Sequence, residues 1–272
     1  MKRKMKIAAG MMVLGCLAVI PAPVRADAKA AASVVTQGMG ETASAEEAGT
    51  PAEAGLEEIV PEGWKTEGDG WYYQNIDGTR CTGELSLENA VYTFDRDGIL
   101  ESARCLEDTG GGAYPVPCYD EITQELFDNL NEEKKEAYFD ENPEKEDDFD
   151  GGVHGVYDRY ASFQMRTVLN KAAAHRLESA MANGYMGDSV LGEGTINDYM
   201  KSVKYRGSAT YMELFVRRTA DAGDALYKIL EDTQDRSKNG TDRKHSLTYY
   251  RSLGIGHTEK DGAHYFMVIL MR

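Results

Sequence analysis

Apolar side chains recur at helical spacing in four places along the second half of this chain. Ile122, Leu126 and Leu130 share one face behind Asp120, whose carboxylate suits a helix N-cap. Leu169, Ala172, Ala173, Leu177, Ala180 and Met181 predict a second helix, stopped by Asn183-Gly184. A third is expected after Thr195, with Ile196, Tyr199, Met200 and Val203 in one stripe. A fourth follows Thr219, with Ala222, Ala225, Leu226, Ile229 and Leu230 facing inward. The pattern then changes period. Leu253-Gly254-Ile255-Gly256 leads through Lys260-Asp261-Gly262 into an unbroken apolar run from His264 to Leu270, which predicts a closing hairpin. Continuous apolar character in the last strand implies burial on both of its faces. Helices on both sides of an antiparallel sheet satisfy that demand. The expected fold class is therefore α+β, a three-layer α/β/α sandwich over residues 119–272.

Residues 60–104 follow a different rule. Tyr72 recurs as Tyr92, Asp77 as Asp97 and Gly78 as Gly98, each pair 20 residues apart. A short fixed period with aromatic strands and Asp-Gly turns predicts β-hairpin repeats, with strands at Trp71-Tyr72-Tyr73 and Val91-Tyr92-Thr93-Phe94. Residues 105–118, with three consecutive glycines and two prolines, read as a hinge. Residues 27–59 hold few large apolar side chains and read as a disordered linker. Before them, Lys2, Arg3, Lys4 and Lys6 precede an apolar stretch from Ile7 to Ile20 and a small-residue exit. That arrangement reads as a secretory signal peptide over 1–26. Lipoprotein anchoring at Cys16 is the alternative, and the apolar stretch is short for a membrane span.

Charge narrows the partners. Removing 1–26 takes away five basic side chains and no acids, moving the formal charge from −16 to −21. Such a surface repels nucleic acid and anionic lipid, and no transmembrane segment is expected in the mature chain. Cys81, Cys105 and Cys118 survive export, so one disulfide is possible, or three thiols. The acidic stretch 140–150 reads as a solvated loop, because Pro143 breaks any calcium-ligand series.

Two regions of the chain resemble known families. GWKTEGDGWYYQNIDGTRCTGE resembles the cell-wall-binding, or choline-binding, repeat. The resemblance implies an aromatic box for a quaternary ammonium, with Trp64, Trp71, Tyr73 and Tyr92 as candidates. Packing of these rings against each other or the following domain is the competing reading. Glu84 and Val91 stand where the repeat would carry tryptophan. Further on, ELFDNLNEEKKE, LNKAAAHRLESAMANGYM, YRGSATYMELFVRRTADAGDAL and YYRSLGIGHTEKDGAHYFMVIL resemble, in that order, segments of the bacterial CAP (SCP) superfamily.

The CAP resemblance implies a cleft that holds a divalent cation between two histidines and two acids. Carried over, Glu213 takes the first acidic position and Asp232 the second. The histidine positions fall on Asp188 and near Asp242, with His245 a helical turn away. Three Asp and a Glu suit a hard ion such as calcium better than zinc. No other cofactor is indicated. His175 reads as structural, and His257 and His264 as a cross-strand contact. The functional expectation is a secreted, cell-wall-associated, non-enzymatic protein binding the wall or a small apolar or peptide ligand. The alternatives are a secreted hydrolase using Glu213 with a partner acid, and an adhesin carried by the aromatic repeats.

Overall fold

Alternating aromatic residues closed by tight turns form the first described strands. The computed structural model describes residues 61–106, 111–143, 160–205, 209–237 and 246–272. The signal segment with Cys16, the 27–59 segment, the acidic residues from 144 onward, Asp242 and His245 lie outside them. Strands β1 (Gly63–Glu67) and β2 (Gly70–Gln74) pair as one hairpin, and β3 (Gly83–Leu87) and β4 (Ala90–Phe94) as another. The chain continues into β5 (Leu100–Cys105), which pairs antiparallel with β4.

The second hairpin does not end at a domain boundary. A three-residue strand, β6 (Gln164–Arg166), sets Met165 opposite Ala103 of β5 in antiparallel register. Its other edge pairs in parallel with β11 (Ser252–Lys260), which in turn pairs with β12 (Ala263–Met271). With β10 (Tyr211–Thr219) at the far edge, the order among the described residues is β10-β12-β11-β6-β5-β4-β3. One mixed sheet therefore crosses the boundaries expected around 105–118.

The described part of that segment, residues 111–118, fastens the sheet. Tyr114 is 2% exposed, and its hydroxyl lies 2.7 Å from the Ala103 carbonyl and 2.8 Å from that of Phe163. The same hydroxyl accepts from the Met165 N–H at 2.9 Å. One phenol thus satisfies backbone groups of β5 and β6 that the short strand leaves over, which buried polar groups require. Cys81, Cys105 and Cys118 all stand as thiols. Cys105 Sγ donates to the Gly112 carbonyl, while Cys118 Sγ accepts from the Asn170 amide.

Helices cover the sheet, and the terminal strand's alternation shows how. Helix α1 (Glu121–Glu141) starts at Asp120, whose carboxylate accepts from the Thr123 N–H at 2.9 Å. Helix α2 (Thr167–Asn183) ends at Gly184, α3 (Ile196–Ser202) opens with a Thr195–Asp198 capping box, and α4 is Ala222–Ser237. Phe266, Val268 and Leu270 share a cluster with Leu126, Phe127 and Leu130 of α1 and with Ala225 and Ile229 of α4. Met267, Ile269 and Met271 share another with Leu169, Ala173 and Leu177 of α2 and Met200 of α3. Burying each such large apolar side chain contributes about 1.5–3 kcal/mol.

Two glycines let α2 approach. A Cβ on Gly254 would sit 2.3 Å from the Leu169 carbonyl carbon, and one on Gly256 would sit 2.6 Å from that of Ala173. The Gly-Ile-Gly step therefore serves close backbone docking, while Ile255 between them faces the α1 cluster.

Candidate functional site

Glu213 sits in β10 between Met212 and Leu214, which belong to the α1–α4 cluster, so its own side chain points toward α2. There it meets Arg176. Nε and Nη2 of the guanidinium donate to the two Glu213 oxygens, each at 2.8 Å. Side-chain exposure is 0% for Arg176 and 1% for Glu213. Nη2 also donates to the Gly194 carbonyl at 3.0 Å, and Nη1 reaches Glu193 at 3.4 Å. Glu193 in turn accepts from Ser179 and lies 3.0 Å from His175 Nε2, whose ring stacks on Tyr199. A carboxylate with both oxygens engaged by one buried fork has no free oxygen facing solvent or a substrate. It is poorly placed for acid–base work.

The other carried-over positions do not join it. Asp188 is exposed in the turn between β7 (Tyr185–Met186) and β8 (Ser189–Val190). Asp232 is half-buried on α4, on the face of the sheet opposite to the Glu213 side chain. Strand alternation therefore separates Glu213 from Asp232. Among the described residues no three His, Cys, Asp or Glu side chains are grouped to hold a metal ion.

A different place gathers chemistry. A cleft of about 720 Å³ opens where the hairpins, the 113–117 segment and the start of α1 meet. Trp64, Tyr92, Tyr114 and Tyr119 supply aromatic walls, and Glu88, Asp120, Glu121 and Asp128 line the same cleft. Trp64 is held edge-on by Tyr92 at 4.8 Å and Tyr73 at 5.4 Å, and stacks on Phe94 at 5.8 Å. Tyr92 is buried with its hydroxyl on the Pro115 carbonyl at 2.7 Å. The rings thus pack on each other, and Trp64 alone of them is left half-exposed toward the cleft. Trp71 and Tyr73 do not line it.

Burial pushes the Asp128 carboxyl above its usual value; a hydrogen bond from Gln124 opposes this, and the charges of Glu132 and Glu125 add to it. Burial also raises Asp120, but hydrogen bonds from Thr123 and His257 outweigh it and leave that carboxyl below its ordinary value. Cys118, in an adjoining cleft, is pushed up to about 11 by burial, so it stays a thiol and is no nucleophile.

Asp120 does more than cap α1. Its second oxygen lies 2.9 Å from His257 Nδ1, and His257 Nε2 lies 3.0 Å from His264 Nδ1. The cross-strand histidine contact expected from the hairpin is therefore a hydrogen bond, and a carboxylate extends it. Sequence reading saw the two histidines and the cap separately. Nothing local joins Asp120 to a residue 137 positions away.

No family model matches the chain, and no curated protein matches it. A solved structure of an extracellular protein containing an SCP domain, from Bacillus anthracis str. Ames, is similar at 13% identity. The match covers 79% of this chain and 68% of that one, with a TM-score of 0.38.

Proposed function

We propose that this chain is a secreted, non-enzymatic binding protein of CAP-like α/β/α architecture, and that its cleft takes a peptide ligand bearing cationic groups. The observation that carries the reading is the pairing of an aromatic wall with four carboxylates in one cleft of about 720 Å³. A cation gains from a ring face and from opposite charge together, and more so when partly desolvated. Burial raises the Asp128 carboxyl, with the charges of Glu132 and Glu125 adding to it, and a cation bound in the cleft would favour its charged form. The hydrolase alternative is disfavoured by the saturation of Glu213.

Tryptophan fluorescence tests this directly. The chain has two tryptophans, so Trp71→Phe leaves Trp64 as the sole reporter. A tri-lysine peptide should shift its emission saturably, and the fully acetylated peptide should not. Asp128→Asn with Glu121→Gln should weaken the response at least tenfold. Equal responses to the charged and acetylated peptides would refute the cationic reading. No response to either would refute the cleft.

A further inference from the structure

The terminal hairpin carries a pair of ring nitrogens aimed at one another, at positions other than those the CAP resemblance assigns to histidine. His257 Nε2 and His264 Nδ1 are 3.0 Å apart. Two nitrogens bound to one tetrahedral zinc at about 2.0–2.1 Å would stand roughly 3.3 Å apart, so the pair is close to ligand spacing already. Strand pairing holds it there. His257 faces Phe266 across the β11–β12 ladder and stacks on that ring at 4.8 Å.

Asp120 decides which nitrogen of His257 is available. An ionised carboxylate only accepts, so the proton of neutral His257 sits on Nδ1 and its lone pair on Nε2, facing His264. A carboxylate on the far nitrogen of a metal-binding histidine is the common supporting arrangement, fixing both tautomer and ring orientation. With His257 Nε2 accepting, His264 donates from Nδ1. Moving that one proton to its own Nε2 through solvent frees Nδ1, with no net proton released. His257 is also reachable: it lines two clefts, of about 330 and 550 Å³.

We infer that His257 and His264 form a two-imidazole site for a borderline divalent transition metal of the zinc or nickel class, with Asp120 as the positioning carboxylate. Two protein ligands leave the remaining coordination to water. Imidazole donors favour zinc, nickel and copper over calcium. The site shares Asp120 with the proposed peptide cleft, but neither histidine lines that cleft, so metal binding does not require a peptide.

Isothermal titration of the full chain with zinc chloride and with nickel chloride tests it. Wild type should show a saturable site for both ions, and His264→Gln should lose at least tenfold in affinity with an unchanged thermal midpoint. His175→Gln, altered on the exposed helix surface, should bind as wild type does. Asp120→Asn keeps a good N-cap residue yet should weaken affinity by about 10–100-fold, which a purely structural role for the carboxylate would not do. Equal affinities for wild type and His264→Gln, or no site in wild type at submillimolar metal, would overturn the inference.

Discussion

Each face of the hairpin sheet carries a carboxylate bonded to a nitrogen base, and the two arrangements could hardly be used more differently. On the α2 face, Glu213 and Arg176 are dry, doubly bonded and surrounded by further partners at Gly194 and Glu193. On the α1 face, Asp120 is 57% exposed and His257 13%, and the histidine chain ends at a ring with a nitrogen left to offer. Arginine has only donors and stays charged, so it can fix a carboxylate but cannot exchange a proton or ligate a metal. Histidine can do both. The family-derived acid at position 213 is therefore part of the scaffold, whereas chemical capacity lies where the sequence offered a capping residue and a cross-strand contact.

The sharpest test of that contrast removes one partner of the buried pair. Glu213→Leu leaves the Arg176 charge uncompensated in the interior, and should cost about 3–5 kcal/mol of unfolding free energy in urea titrations. Adding Arg176→Met should recover more than half of the loss, since the double replacement leaves no buried charge at that site. A single-variant loss under 1 kcal/mol would mean that water reaches the pair, and the two faces would no longer differ in kind.

A somewhat smaller effect is expected from the packing that makes the α2 face dry. Gly254→Ala drives a methyl into the Leu169 backbone, which a side-chain rotation cannot relieve. Overpacking of this sort costs about 1–3 kcal/mol, and here the upper end is expected because the obstacle is main chain. Thermal unfolding of the variant checks it. An unchanged midpoint would show that α2 is free to lift from β11.

How much of this was readable in the residues follows from how far each contact reaches. Asp120, Thr195 and Gly184 bound their helices as the local pattern implied, because capping is decided within a few residues. The strong apolar run of β12 announced its two buried faces. β10 was harder to read as a strand, since Glu213 interrupts its apolar inner positions and its partner Arg176 sits in a stretch, Ala174-His175-Arg176-Leu177-Glu178, that reads as half solvated. The fusion of the second hairpin, β3–β4, into the main sheet was hidden as well, while β1–β2 stays a two-stranded sheet of its own. The fusion depends on a three-residue strand and on the Tyr114 hydroxyl, neither of which has a periodic signature. The aromatic set divides likewise: Trp64 and Tyr92 line a cleft, and Trp71 and Tyr73 do not.

The finest distinction concerns Asp120, which serves the backbone through one oxygen and His257 through the other. Asp120→Ala should destabilise by about 1 kcal/mol through the lost cap, whereas Asp120→Asn should stay within a few tenths. The two substitutions separate further with pH. Burial raises this carboxyl, but the Thr123 and His257 hydrogen bonds prevail and set its folded value below the unfolded one of about 3.9. The unfolded chain therefore takes up the proton first on acidification, and the stabilisation from the charged form is complete only above that unfolded value. It falls away as the pH drops through the lower, folded value. Stability measured from pH 6 down to pH 2 should thus decline more steeply in wild type than in Asp120→Asn, whose side chain cannot titrate. Parallel curves would mean that the carboxylate's charge contributes nothing to the stability of the fold.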